Sequence, residues 1–129
     1  MKSRIFLCFV SMVGLMLGAQ SVQAVQAASA AVREMAGIMA HLEHHPSDAE
    51  KVKLKGIVDN KGSTAQERAL AAAISNLNHS AAAGDKGKLK QVMDDATAPA
   101  EVRELAGIVL NVSHMPSAAD KGKLEKMMK

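Results

Sequence analysis

The strongest constraint on this chain is that it repeats itself every 35 residues. The phrase HSAAAGDKGKLKQVM, beginning at His79, returns as HMPSAADKGKLEKMM, beginning at His114, and a more diverged copy precedes both. Without gaps, Arg33 aligns with Arg68 and Arg103, Met35 with Leu70 and Leu105, Gly37 with Ala72 and Gly107, and His44 with His79 and His114. Later in each unit Lys51, Lys86 and Lys121 align, as do Leu54, Leu89 and Leu124, and Ile57, Val92 and Met127. A short element that recurs at a fixed period builds its core from neighbouring copies of itself.

Each unit reads as two helices. Apolar residues at 35, 38, 39 and 42 follow the i, i+3, i+4, i+7 spacing of one buried helix face, and the spacing recurs in the other copies. This predicts first helices running from about Ala30, Ala65 and Ala98 to His44, His79 and His114. Ser29, the Thr64 to Glu67 capping box, and Thr97 with Pro99 mark their starts. Second helices carry Leu54, Ile57 and Val58, then Leu89, Val92 and Met93, then Leu124, Met127 and Met128. Ser47 with Glu50, and Ser117 with Asp120, cap two of them, whereas the middle copy has Ala82 at that position. Gly87 and Gly122 conflict with a helix interior, so either they lie in a first turn or they permit a close backbone contact.

A hairpin with two narrow apolar stripes cannot bury both within itself, so three units must shelter one another. The expected fold is all-α: three tandem 35-residue helical hairpins, six helices in all, stacked as a short α-solenoid over residues 29–62, 64–97 and 99–129. The period is similar to that of tetratricopeptide hairpins, but the aromatic residues of that pattern are missing, so the similarity is one of architecture only. A closed six-helix globule satisfies the same stripes. The small residues Gly37, Ala72 and Gly107 lie on the back of the first helix, where they would admit a close neighbour.

Residues 1–24 read as a secretory signal peptide, with Lys2 and Arg4, an apolar run from Ile5 to Gly18 and a small-residue cleavage pattern at Val22-Gln23-Ala24. The apolar run is 14 residues long, short of the ~20 that span a membrane. Cleavage would remove Cys8, Phe6 and Phe9, leaving residues 25–129 as a single domain with no Cys, Phe, Tyr or Trp. Disulfide, thiol and aromatic-stacking chemistry are thereby excluded from it. Loss of Lys2 and Arg4 lowers the basic residues from 16 to 14 against 13 acids, a near balance that argues against nucleic acid as a partner. An exported chain without cysteine points to the bacterial periplasm.

His41, His44 and His45 form the richest cluster of candidate ligands. Residues 41 and 45 are i, i+4 neighbours on a helix, a spacing that lets two imidazoles share Zn²⁺, Ni²⁺ or Cu²⁺ with His44 or Glu43 nearby. The later units keep one His each, so three stacked metal sites are not expected. The plainer role for the repeated His is to close its helix by giving a ring N–H to the last carbonyls. Lys51, Lys53, Lys86, Lys88, Lys121 and Lys123 would form a partner- or anion-binding ladder if the units stack in register, and a solvated helix face otherwise. Asp59 and Asp94 are the expected partners of Arg68 and Arg103. Met115, Met127 and Met128 suit copper in principle, and core packing at helical spacing.

No phosphate loop, CxxC pair, HExxH or nucleophile elbow occurs, and Ser113, His114 and Asp120 lack an oxyanion feature, so no enzyme activity is expected. The sequence thus points to an exported, non-catalytic helical-repeat scaffold without a cofactor, binding a protein or peptide partner in the cell envelope. Transition-metal binding at His41, His44 and His45 is the alternative.

Overall fold

The computed structural model describes residues 28–129, and the expected signal peptide at 1–24 lies outside them. Six helices follow one another: α1 (Ala30–Ala40), α2 (Asp48–Asp59), α3 (Ala65–Ser75), α4 (Ala83–Asp94), α5 (Ala100–Asn111) and α6 (Ala118–Met127). Only isolated bridges, and no β-strand, occur among the described residues. No helix there is long and apolar enough to cross a membrane.

The helix starts follow the polar residues that cap them. Ser47 and Glu50 form a reciprocal capping box on α2, Thr64 and Glu67 form one on α3, and Ser29 and Ser117 accept from backbone N–H groups of α1 and α6. Ala82 leaves α4 without a side-chain cap. Glu67 does more than cap its own helix. Its buried carboxylate also accepts from the Ser29 hydroxyl, joining the start of α1 to the start of α3.

The helix ends differ from expectation. α1, α3 and α5 stop at Ala40, Ser75 and Asn111, so the repeated histidines fall in the following loops. His79 and His114 have φ of 64° and 65°, a left-handed backbone that no right-handed helix accommodates. Leu42, Leu77 and Val112 are buried just beyond the helix ends, and Pro46, Ala81 and Pro116 are buried just before the next helices, so each loop is pinned on both sides of its histidine.

The packing corrects the open solenoid. α1, α3 and α5 all touch one another, while α2 packs chiefly on α3, α4 on α5, and α6 returns to pack on α1. Contacts therefore run in a closed cycle. An open stack would leave α6 far from α1, and the width of the apolar face explains why that does not happen. Val32, Met35, Ala36, Ile38 and Met39 are all buried on α1, and Val102, Leu105, Ala106, Ile108 and Val109 on α5, a band broad enough to meet two neighbours at once. Leu54, Leu89 and Leu124 anchor the outer helices at 0–1% exposure, each worth roughly 1.5–3 kcal/mol in burial.

The small residues on the back of the odd helices seat the outer ring. A Cβ at Gly37 would lie 3.5 Å from Met128 Sδ, and one at Gly107 3.7 Å from Met93 Cε. Ala72 and Val58 line one groove in the middle of the cycle. Val58, Met93 and Met128 are equivalent repeat positions, so each even helix enters its neighbour at the same place. The close approach expected at 37, 72 and 107 is present, but it serves ring closure.

Candidate metal centre

Because the three odd helices meet one another, the loops that follow them are gathered at one end of the bundle. The backbone N–H of His79 donates to the carbonyl of His44 at 2.8 Å, and that of His114 donates to the carbonyl of His79. Each unit contributes one histidine to this chain of bonds. Isolated bridges joining Asn78 to Ser80, Ser80 to Ser113, and Ser113 to Met115 hold the same segments.

The imidazoles of His44, His79 and His114 converge. Their ring centroids lie 5.1 Å apart for His44 and His79, 5.5 Å for His44 and His114, and 4.8 Å for His79 and His114. One nitrogen from each ring lies within 4.8 Å of the other two. Nδ1 of His79 and Nδ1 of His114 are 3.0 Å apart, so in the neutral pair one donates and the other accepts. Tetrahedral Zn²⁺ with Zn–N bonds of 2.0–2.1 Å sets its ligand nitrogens about 3.3 Å from one another. Two of the three ligands are already near that separation. All three rings are exposed, which leaves the third free to rotate inward.

Holding two non-glycine residues in the left-handed region costs about 1–3 kcal/mol each, and such strain concentrates at functional sites. The His79 and His114 side chains leave a left-handed backbone, whereas His44 joins them without a positive φ.

The structure places the other candidate residues apart from this cluster. His41 caps α1: its Nδ1 lies 2.9 Å from the Gly37 carbonyl oxygen, so the closing role expected of the repeated histidine falls to its neighbour one turn earlier. Nδ1 of His45 sits 3.2 Å from the Pro46 carbonyl oxygen. Of His41, His44 and His45, only His44 joins the triad, and its partners are His79 and His114. The signal for those two was already present in the 35-residue alignment. Its meaning depended on ring closure.

The six lysines do not form a ladder. Lys51 and Lys53 lie on α2, Lys86 and Lys88 on α4, and Lys121 and Lys123 on α6, three helices that do not pack on one another. Lys88 lies 3.8 Å from Asp85, and Lys123 lies 3.5 Å from Glu104. The expected arginine pairs are also absent among the described residues, with Asp59 bonded instead to Lys55. Met127 is buried and Met128 packs beside Gly37, whereas Met115 is 50% exposed next to His114.

No protein-family model matches the chain, and no curated protein or solved structure matches it either.

Proposed function

We propose that the protein is an exported helical protein that binds one divalent transition-metal ion through His44, His79 and His114. The observation that carries this reading is the convergence of three imidazoles, one from each sequence repeat, with ligand nitrogens within 4.8 Å of one another. A donor set of three imidazoles, with no thiolate or carboxylate among them, suits Zn²⁺, Cu²⁺, Ni²⁺ or Co²⁺ and disfavours Mg²⁺ and Ca²⁺. Export rests on the charged and apolar pattern of residues 1–24. In the periplasm such a site would hold or relay a metal ion.

Calorimetric titration of the purified protein with Zn²⁺, Ni²⁺ and Cu²⁺ tests the reading. Micromolar or tighter binding to at least one ion is expected, weakened at least about tenfold by His79→Ala or His114→Ala and little changed by His41→Ala. An absence of binding to all three ions, or equal loss with His41→Ala, rejects it.

A second reading, a scaffold for a protein or peptide partner, is favoured by the groove between α2 and α3. Lys51, Val52, Lys55, Val58 and Ala72 line about 420 Å³ there, and Val52 is 72% exposed. Val52→Asp would abolish capture of an envelope partner on this reading, and capture unaffected by the substitution would remove the groove from consideration.

A further inference from the structure

We propose that the metal ion held by His44, His79 and His114 keeps one coordination position open for an exchangeable small anion, which enters from the concavity beside His44, His45 and His79. The inference rests on the metal-binding reading and adds what the bound ion can take.

Three ligands from three equivalent loops occupy one side of the ion. Related by the repeat, they define a triangle, and the fourth tetrahedral vertex lies on the axis through that triangle. For the chain to close that vertex it would need another donor within reach. The cluster of mutually close donors contains only the three histidines among the described residues. The residues that follow them in each loop are His45, Ser80 and Met115. Ser80 offers a neutral hydroxyl, and the Met115 thioether suits soft Cu⁺ more than a divalent ion. The residues that precede them are Glu43, Asn78 and Ser113, only one of which is a carboxylate.

Space is available beside two of the three ligands. Glu43, His44, His45 and His79 border an open concavity of about 370 Å³, large against the ≈ 30 Å³ that one liquid water occupies. Charge also points to the class of ligand. Three neutral imidazoles leave the dication uncompensated, and among the described residues Glu43 is the only acidic one bordering the concavity. An incoming anion therefore meets net positive charge. Zinc sites with three protein ligands and an open fourth position behave in this way, exchanging water for substrate or inhibitor.

Co²⁺ is a suitable probe because its visible d–d bands report coordination number and exchange. The full protein would be loaded with Co²⁺ and titrated with sodium azide, with Glu43→Gln and His45→Ala variants alongside. A saturable change in the visible spectrum is expected in the unaltered protein and in His45→Ala alike, and at severalfold lower azide in Glu43→Gln, where repulsion of the anion is relieved. A Co²⁺ spectrum that stays fixed at all azide concentrations overturns the proposal. So does a site that responds to azide only after His45→Ala, because His45 would then be the fourth ligand. Failure to bind Co²⁺, Zn²⁺, Ni²⁺ or Cu²⁺ at all is a separate result that removes the metal centre itself and this proposal with it.

Discussion

His79 and His114 are 35 residues apart in sequence, yet their Nδ1 atoms are 3.0 Å apart and the backbone N–H of one donates to the carbonyl of the other. Both contacts are made by residues whose backbone is left-handed. A residue kept in that region for its imidazole carries a cost in the metal-free protein.

That cost can be measured. Glycine adopts positive φ without a Cβ clash, whereas alanine does not. His79→Gly is expected to unfold at higher urea than His79→Ala, by a difference of about 1 kcal/mol, while both variants bind metal at least about tenfold more weakly. Equal urea midpoints would show that the loop relaxes out of the left-handed region once the ring is gone.

Metal should staple the ring shut. The three ligands come from loops after α1, α3 and α5, so an ion on them binds the folded chain and not the unfolded one. Free ion at one hundred times its Kd adds about 2.7 kcal/mol, which for a domain of this size raises Tm on the order of 10 °C. Calorimetric or circular-dichroism melts should show this rise, its reversal by a chelator and its fall by about half or more in His114→Ala. A rise undiminished in His114→Ala would place the stabilising ion elsewhere.

Much of the helical content was legible because burial leaves a period in the sequence. The stripe at Leu54 and Ile57 and its copies at Leu89, Val92, Leu124 and Met127 are all buried. The partner of each stripe was not legible, since a period marks which face is covered and not which helix covers it. For that reason α6 on α1 could not be separated from an open stack, and the lysines at 51, 86 and 121 could be imagined in one row. The helix ends were hidden for a different reason. Nothing in the sequence singled out His79 or His114 for a positive φ, and both take it where their backbone N–H groups bond to the preceding unit's histidine carbonyl. Aligning the three histidines was within reach of the sequence, but bringing them together required the cycle.

Gly87 and Gly122 fulfil neither role the sequence suggested for them. Each lies beyond the first turn of its helix, and a Cβ at either would meet nothing within 4 Å. Gly87→Ala and Gly122→Ala should therefore each stabilise the protein by up to about 1 kcal/mol through helix propensity, readable as a higher urea midpoint with metal affinity unchanged. Gly37→Leu is the contrasting substitution, because its side chain must displace Met128 from between α1 and α6. Destabilisation by the two alanine variants would reveal a contact that the open surface does not show.

Asp95 sets part of the acid sensitivity of the fold. The Thr97 hydroxyl donates to its Oδ1 at 2.6 Å, the Gln66 side-chain amide to Oδ2 at 2.7 Å, and the Thr97 backbone N–H to Oδ1 at 2.9 Å. These donors favour the carboxylate and lower its pKa from 3.8 to about 2, with the Thr97 hydroxyl the largest contributor and Gln66 next. Because the folded value lies below the unfolded one, the contribution to stability is fully present above 3.8 and disappears as pH falls towards 2. Gln66 lies on α3 and Asp95 just after α4, so protonation loosens a link between the start and the end of the middle unit. A carboxyl-carbon NMR titration should find Asp95 still ionised at pH 3, with Thr97→Val moving its midpoint upward more than Gln66→Leu does. A midpoint near 3.8 in the unaltered protein would mean that solvent outcompetes these donors at the exposed end of α4.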